Sequence, residues 1–533
     1  MPLVNMMFKK IISIFIASIL LLTCFSGCKN EEEEIYLACA VDKMPRYFDP
    51  QVADSTAERI VAVNIFDGLF KPDEKGEIQK CAVKDYNVSS DGLVYTFYLN
   101  ENMKYFISDK AKTFLEEKGA SVSDKVTAKD FVFGITRGVL PETNAPDFDL
   151  LVNIKNARQV HNGELPLSEL GIRAINDYTL EITLEQKVSD FLYVLTQPVT
   201  FPCNEAFFNL TGGRYGLDRK YIISNGSFYL SDIKNEESVR FSKNTEYTGA
   251  FSALPTSVRL YVNTDQVDVA KKVDKGTYHI GFFTTDDAVD ELGRKTVKAN
   301  LPNITTSLIF NMKKEKLQNV TLRTGLISGV DVSTVTGNPA TNLISSYYDL
   351  SGGNVEHLSF NKNNAKKNMI AAFDELNIEK LTVNILCTEK YQDMAKAIIN
   401  SWQTNIGVEL NGTVTVATAD EFKTKIKSGD FDTAIYPLAV DSNQTIDFLS
   451  IFKSNNDKNI FGYSSEEYDR QVEDMISKSS KTKAISCESY LLKNAVALPL
   501  EYENTVMATA KGVDGIYFAG DCANIYFYKG QKQ

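Results

Sequence analysis

Residues able to do covalent chemistry are present in this 533-residue chain, but none stand in a spacing that would make them work together. Ser231 with Lys234, and Ser450 with Lys453, have the Ser-x-x-Lys interval in which a lysine can activate a serine. The Lys-Thr-Gly that accompanies such a pair is absent, and serine and lysine are abundant enough for chance to supply the interval. There is no His-Glu-x-x-His, no Gly-x-Ser-x-Gly and no glycine loop that could cradle a phosphate. The three histidines, His161, His279 and His357, are far apart, and His161 sits in the turn-like Val160-His161-Asn162-Gly163. Cys39, Cys81, Cys203, Cys387, Cys487 and Cys522 are scattered without a Cys-x-x-Cys pair, and they read as buried thiols rather than zinc or redox ligands. The expectation is a protein that is not an enzyme, holds no metal and needs no cofactor.

The two remaining cysteines lie in the leader. Lys9 and Lys10 precede Ile11 to Thr23, an uncharged run whose helical length of about 20 Å is too short for a bilayer core of about 30 Å. That pattern predicts a secretion signal rather than a spanning helix. Phe25-Ser26-Gly27-Cys28 resembles a bacterial lipobox, with Phe25 in place of the usual leucine, and makes Cys28 the candidate for lipidation; Cys24, after Thr23, fits less well. Residues 1–27 are therefore expected to be a lipoprotein signal peptide. Residues 28–34, with Glu31 to Glu34 repelling one another, are expected to be an acidic tether.

The formal charge of −12 becomes −14 without the two leader lysines, a poor match for phosphate backbones, and no basic stripe interleaves with aromatics; no nucleic acid partner is expected. The remaining length suffices for two or three domains.

Strand-like and helix-like segments alternate, as in α/β architecture. Leu93 to Leu99, opened by Asp91-Gly92, and Tyr178 to Leu184 read as half-buried strands. Phe431 to Tyr436, after Gly429-Asp430, suits a buried strand. Thr127 is placed to cap a helix through Phe131 to Arg137, and Met394 to Ile406 should form a helix stopped by Gly407. Tyr468 to Ile476 and Glu488 to Ala497 read as late helices.

Several segments, in order, resemble the peptide- and nickel-type (family 5) bacterial extracytoplasmic solute-binding proteins, which include oligopeptide- and dipeptide-binding proteins. They are Phe48-Asp49-Pro50, Asn64-Ile65-Phe66-Asp67-Gly68-Leu69, Ser90-Asp91-Gly92 and Val126 to Val132. Leu170-Gly171-Ile172, Asn176 to Leu180, Ile223 to Tyr229, Arg323 to Asp331, Trp402 to Val408, Gly429 to Asp432 and Ala497 to Leu500 complete the series, with Gly325 and Gly329 replacing two usual alanines. The resemblance implies a two-lobed, hinge-closing α/β fold of the type II periplasmic-binding-protein kind, with an extra domain inserted in the first lobe. Carried over, the first lobe comprises residues 35–75, 195–275 and 498–533, the insertion 76–194, and the second lobe 276–497.

It also implies a function: capture of peptides between the lobes and delivery to an ABC permease and its ATPase. The chain would act as a monomer, lipid-anchored on the outer face of the cytoplasmic membrane of a Gram-positive-type bacterium. The alternatives in the same fold are a non-peptide solute (a chelated metal, a modified sugar) or a ligand-sensing receptor. Phe431 to Asp441 aligns without gaps to the family segment that holds a peptide amino terminus, placing Asp441 on the carboxylate that pairs with the ligand ammonium. Leu438, Ala439 and Val440 on one side, and Met44, Pro45 and Arg46 on the other, are candidates for main-chain pairing, although Pro45 lacks a donor. Trp402, Asn225, Asn443 and Tyr502 complete the implied ligand contacts.

Departures bear on the ligand. Ile435 replaces an arginine that some relatives use near a peptide carboxylate, and Thr305-Thr306-Ser307 stands where aromatics are common, suggesting a smaller or more polar pocket. Val332 to Ile344 is shorter than usual and Ser108 to Asp124 longer. Glu501, in place of an aromatic beside Tyr502, could favour a cationic ligand.

Overall fold

The computed structural model describes residues 36–188, 191–440, 444–456, 458–478, 480–518 and 524–532. The signal, the tether, Cys28, Cys522, Asp441 and Asn443 lie outside the described residues.

Two long strands organise the fold. Val297–Phe310 and Ala497–Thr509 are rich in threonine, valine, isoleucine and leucine, residues that suit a pleated surface, and they pair antiparallel along nearly their whole length. In chain order the strands of the large sheet are β1 (Tyr36–Val41), β6 (Phe228–Lys234), β7 (Ser238–Lys243), β8 (Ser257–Val262), β9 (Ile280–Phe283), β10 (Val297–Phe310), β11 (Leu381–Thr388), β12 (Leu410–Ala417), β13 (Thr433–Leu438) and β14 (Ala497–Thr509). They are hydrogen-bonded in the order β12-β11-β13-β10-β14-β9-β1-β8-β7-β6. The strands β2 (Val83–Val88), β3 (Val94–Leu99), β4 (Ile172–Asn176) and β5 (Thr179–Thr183) form a separate antiparallel sheet, the inserted domain, in the order β2-β3-β5-β4.

Two cores flank the long pair. One runs from Leu37 through the insertion to Leu292 and resumes at Val506 to Tyr528; the other spans Leu308 to Leu500. The change of lobe therefore falls after Leu292 rather than at the expected 275/276, because β9 pairs with β1 and β14, and Tyr278, Ile280 and Phe283 pack into the first core. The return to the first lobe likewise falls near Val506, since Leu498 and Leu500 belong to the second core.

Several short motifs turn out to be buried ion clusters. Asp49 receives Arg137 through two bonds of 2.5 and 3.1 Å, and Arg137 also donates to Gln51 while lying 4.2 Å over the Phe208 ring. That pair ties the first lobe to the inserted domain, for Arg137 stands on α3 (Ala128–Val139). Asp67 receives Lys71 Nζ at 2.5 Å and the Tyr247 hydroxyl at 2.5 Å, and Lys71 faces the rings of Phe251, Tyr526 and Tyr528. Gly226 packs so tightly on α1 (Thr56–Ile65) that a Cβ would lie 2.6 Å from the Ile65 carbonyl carbon.

The expected strands at 93–99, 178–184 and 431–436 are present as β3, β5 and β13. Thr127 and Asp130 form a capping box before α3, and α5 (Gln392–Asn405) leads into Gly407 at φ +77°. The lengthened Ser108–Asp124 holds α2 (Asp109–Glu117). Tyr468 to Ile476 lies within α6 (Glu466–Lys478). The last helix, α7, is Lys481–Lys493, so the expected helix over Glu488 to Ala497 is displaced: Ala495 turns at φ +53° and Ala497 opens β14. His161, expected in a turn, ends the short helix α4 (Ala157–His161), is half-buried, stacks on Phe148 at 3.8 Å and bonds the Val139 carbonyl. Cys39, Cys81, Cys203, Cys387 and Cys487 are buried free thiols.

Glu488 on α7 is buried in the second core and accepts the Ile344 amide at 2.9 Å. Burial pushes its carboxyl up to about 7, against the pull of the Ile344 and Leu343 amides. Between pH 4.5 and 7 the folded state thus binds a proton that the unfolded state releases, so this group's contribution to stability falls as pH rises through that window. Glu488→Gln is expected to raise stability at pH 8 by up to about 3 kcal/mol and to change little at pH 4, which urea unfolding at both pH values will read.

Candidate ligand-binding cleft

The pairing directions bring two sets of strand ends face to face. Strand β10 runs out of the first lobe and into the second; β9, antiparallel to β14, runs the same way, and so do β1 and β8, which are parallel to one another. In the second lobe β13 is antiparallel to β10 and runs back, with β11 and β12 parallel to it. The carboxyl ends of the parallel strands of each lobe therefore point at the other lobe. In open α/β sheets the carboxyl ends are where ligands bind, because the chain leaves the sheet there and exposes backbone and side-chain groups. Here two such edges meet across the crossover strands.

The first-lobe edge is the segment after β1. Pro45 is buried, Met44 half-buried and Arg46 exposed. The loop is held from beneath by Glu58 on α1, whose carboxylate accepts the amides of Arg46 at 2.9 Å, Tyr47 at 3.4 Å, Asp54 at 3.1 Å and Ser55 at 3.0 Å. Burial opposes the charge on Glu58, but these amides more than offset it and hold its carboxyl below the usual range. Pro45 has no N–H and Arg46 has spent its own on Glu58, so neither offers a donor to an added strand.

The second-lobe edge is the end of β13. Leu438 is buried and paired with Thr305, Ala439 is exposed and Val440 half-buried. Of these three, Ala439 is the one presented to solvent. Strand β11 meets β13 only at Thr433 and Ala434, so the ladder on that side stops well short of Leu438.

Trp402 and Asn225 are placed within the cores, and Tyr502 is half-buried on β14. Trp402 is fully buried in the second core and its indole N–H donates to the Leu326 carbonyl at 2.9 Å; it anchors α5 instead of facing a ligand. Asn225 is buried and brackets the backbone of Asp67, accepting from its N–H and donating to its carbonyl. Tyr502 spends its hydroxyl on the backbone of Asn342, which it bonds at N and O, both at 3.1 Å. Thr305, Thr306 and Ser307 are all buried within β10, so they bond internally and do not widen a pocket.

Residues missed by sequence reasoning close the floor of the cleft. Glu503, in the middle of β14, accepts from Thr306 Oγ1 at 2.5 Å, from the Tyr391 hydroxyl at 2.8 Å and from Lys390 Nζ at 2.5 Å. Lys390 and Tyr391 directly follow β11, whose Leu-Thr-Val-Asn-Ile-Leu-Cys-Thr pattern was available as a strand signal. A separate pocket of about 190 Å³, lined by Asp331, His357, Phe360, Leu492 and Leu498, lies wholly within the second lobe.

The histidines are dispersed. His279 accepts the Ala38 amide at Nδ1, and burial pushes it down to about 4. Among the described residues no group of three or more His, Cys, Asp or Glu side chains is placed to hold a metal ion, and no helix is long and apolar enough to cross a membrane.

Two lobes, each offering strand ends to the other across a paired crossover, define a hinge-type solute-binding protein. Residues 77–459 match the model of the bacterial extracellular solute-binding proteins, family 5, and the chain belongs to that family. It is 25% identical over 489 residues to the periplasmic oligopeptide-binding protein OppA of Escherichia coli, covering 85% of this chain and 84% of that one. It is 23% identical over 497 residues to the dipeptide-binding protein DppE of Bacillus subtilis, covering 89% and 87%. The structure of Listeria monocytogenes OppA bound to peptide superposes with a TM-score of 0.74 at 21% identity, covering 94% of this chain and 99% of that one.

Glu58→Ala removes the acceptor of four amides at once. It is expected to cost about 2 kcal/mol or more in stability and to speed hydrogen exchange at Arg46 and Tyr47, with Glu58→Gln intermediate; unchanged exchange at Arg46 would show that the loop is held by something else.

Proposed function

We propose that this chain is the substrate-binding lipoprotein of an ABC-type importer that captures peptides between its lobes and hands them to a membrane permease. The observation that carries the reading is the facing of strand ends from both lobes across one pair of crossover strands, in a chain whose family includes relatives named for binding oligopeptides and dipeptides. Such an edge can hold a ligand through main-chain bonds that ignore side-chain identity. Ligand bridging both lobes stabilises the closed form by contacts that the open form lacks, and that difference is what a permease can recognise.

Asp441 is proposed as the partner of the ligand's amino terminus, since it follows Val440 where β13 leaves the sheet. A carboxylate there offsets the desolvation of an ammonium buried on closure. Asn443 is proposed beside it. Cys28 is proposed as the lipidated residue that retains the protein on the outer face of the cytoplasmic membrane.

The test is a thermal-shift screen of residues 29–533 against peptides of two to ten residues, sugars and metal chelates. A peptide at a hundredfold its Kd should add about 2.7 kcal/mol to stability and raise the midpoint accordingly. A shift with sugars or chelates alone would keep the fold and overturn the peptide assignment. Asp441→Ala is expected to weaken peptides with a free amino terminus about tenfold or more while sparing their acetylated forms; equal losses would remove the ammonium clamp. In the full-length chain, Cys28→Ala should move the protein from the membrane fraction to the medium, and retention would refute the anchor.

A further inference from the structure

The floor of the cleft carries more negative charge than it neutralises. Glu503 has three donors of unequal standing. Thr306 and Tyr391 are neutral and buried, fixed within β10 and at the start of α5. Lys390 is the exposed one, with its side chain 51% exposed against 14% for Glu503. Glu501 lies two residues before Glu503 on the same strand, hence on the same face, and its charge also acts on the Tyr391 hydroxyl. Among the described residues no ion pair involves Glu501, whereas Lys390 pairs with Glu503. Two carboxylates thus stand on one face with a single lysine, which pairs with Glu503 alone, at the carboxyl edge of the second lobe's parallel strands. The carboxyl of Glu503 stays below its usual range, because Lys390, Thr306 and Tyr391 together outweigh its burial.

Closing the lobes over such a floor removes water from it, and an unbalanced buried charge is costly unless a counter-charge arrives with the closure. We infer that Glu503, with Glu501 beside it, selects a cationic side chain (an ammonium or guanidinium) on the ligand, and that Lys390 is a built-in competitor which occupies the carboxylate until that side chain displaces it. Thr306 and Tyr391 keep the carboxylate oriented throughout, so the exchange trades one cation for another without rebuilding the site. The inference rests on the peptide reading above and adds a ligand class to it.

The probes are trialanine, its three single-lysine variants and the three matching norleucine variants, which keep the four-carbon stem and lose the charge. Calorimetric titration of the intact mature chain should find one position at which lysine binds about tenfold tighter than norleucine. Glu503→Gln should erase that ratio, weakening the lysine peptide about tenfold more than the norleucine one. Lys390→Met, a surface change that leaves Glu503 and its buried donors in place, should tighten the lysine peptide several-fold and not the norleucine one. Equal binding of lysine and norleucine peptides by the wild type would overturn the inference and leave the peptide reading standing; it is the outcome expected if Lys43 or Arg46 of the facing lobe supplies the counter-charge instead. Equal weakening of both peptides by Glu503→Gln would also overturn it, by showing a role in holding the strand. Binding of none of the seven peptides would count against the peptide reading itself, and the inference would fall with it.

Discussion

Everything in this structure hangs on one antiparallel pair, Val297–Phe310 against Ala497–Thr509. Among the described residues Ala497–Thr509 is the one strand of the large sheet with residues in both hydrophobic cores, and the register of the pair slips twice, between Leu301 and Ile304 and between Thr306 and Ser307. A regular ladder would weld the lobes into one sheet. Slips of this kind leave residues unpaired and add local twist, so the ladder is weakest where a hinge needs compliance. The burial pattern agrees: Glu501 to Asn504 are the least covered part of the second strand, with buried residues on both sides. Because neither core crosses this gap, the lobes can rock without exposing apolar surface.

The buried ion clusters serve the opposite end, rigidity. Asp49 with Arg137 and Asp67 with Lys71 are each nearly free of solvent and held by hydrogen bonds and aromatic faces, with only Nε of Arg137 lacking an acceptor among their side-chain groups. Such pairs contribute little net stability over apolar packing, but losing one partner leaves a costly buried charge. Their effect here is positional. Asp49 fixes the inserted domain through Arg137, and Asp67, bracketed by Asn225, locks α1 to the sheet beneath. That helix supplies Glu58, which holds the cleft loop. The chain of dependence from core to cleft therefore runs through charges, and the short motifs that carry the family resemblance are this scaffold rather than the binding surface.

That division explains what the sequence revealed. Periodicity located β3, β5, α3 and α5 because each has one apolar face and one wetter one, and β13 stood out as an unbroken apolar run after Gly429-Asp430. The lobe boundary was harder, since β9 is only four residues long and its allegiance is decided by pairing with β1 and β14, which are more than 200 residues away in the chain. Trp402 and Asn225 misled for a related reason: a large aromatic and an amide are as useful inside a core as in a ligand site, and sequence does not reveal where a Leu326 carbonyl or an Asp67 amide will lie. Glu503 was overlooked because its partners come from two separate segments, at 306 and 390–391, both far from it in the chain.

A hinge protein must also keep its open form from closing on itself, and the charges at the cleft address this. The floor holds two carboxylates and one lysine, and the first-lobe loop after β1 bears exposed Lys43 and Arg46. In water these opposite charges attract weakly, by about 1 kcal/mol per pair at contact, and salt screens them further across an open cleft. Closure strengthens the attraction but strips each charge of its hydration, and the two effects nearly cancel. Empty closure therefore gains little, while closure on an occupant that brings its own hydrogen bonds and apolar contacts gains the surplus. Since a ligand shifts the equilibrium only by its differential affinity for the two forms, a near-balanced empty hinge is the condition under which modest contacts suffice to switch it.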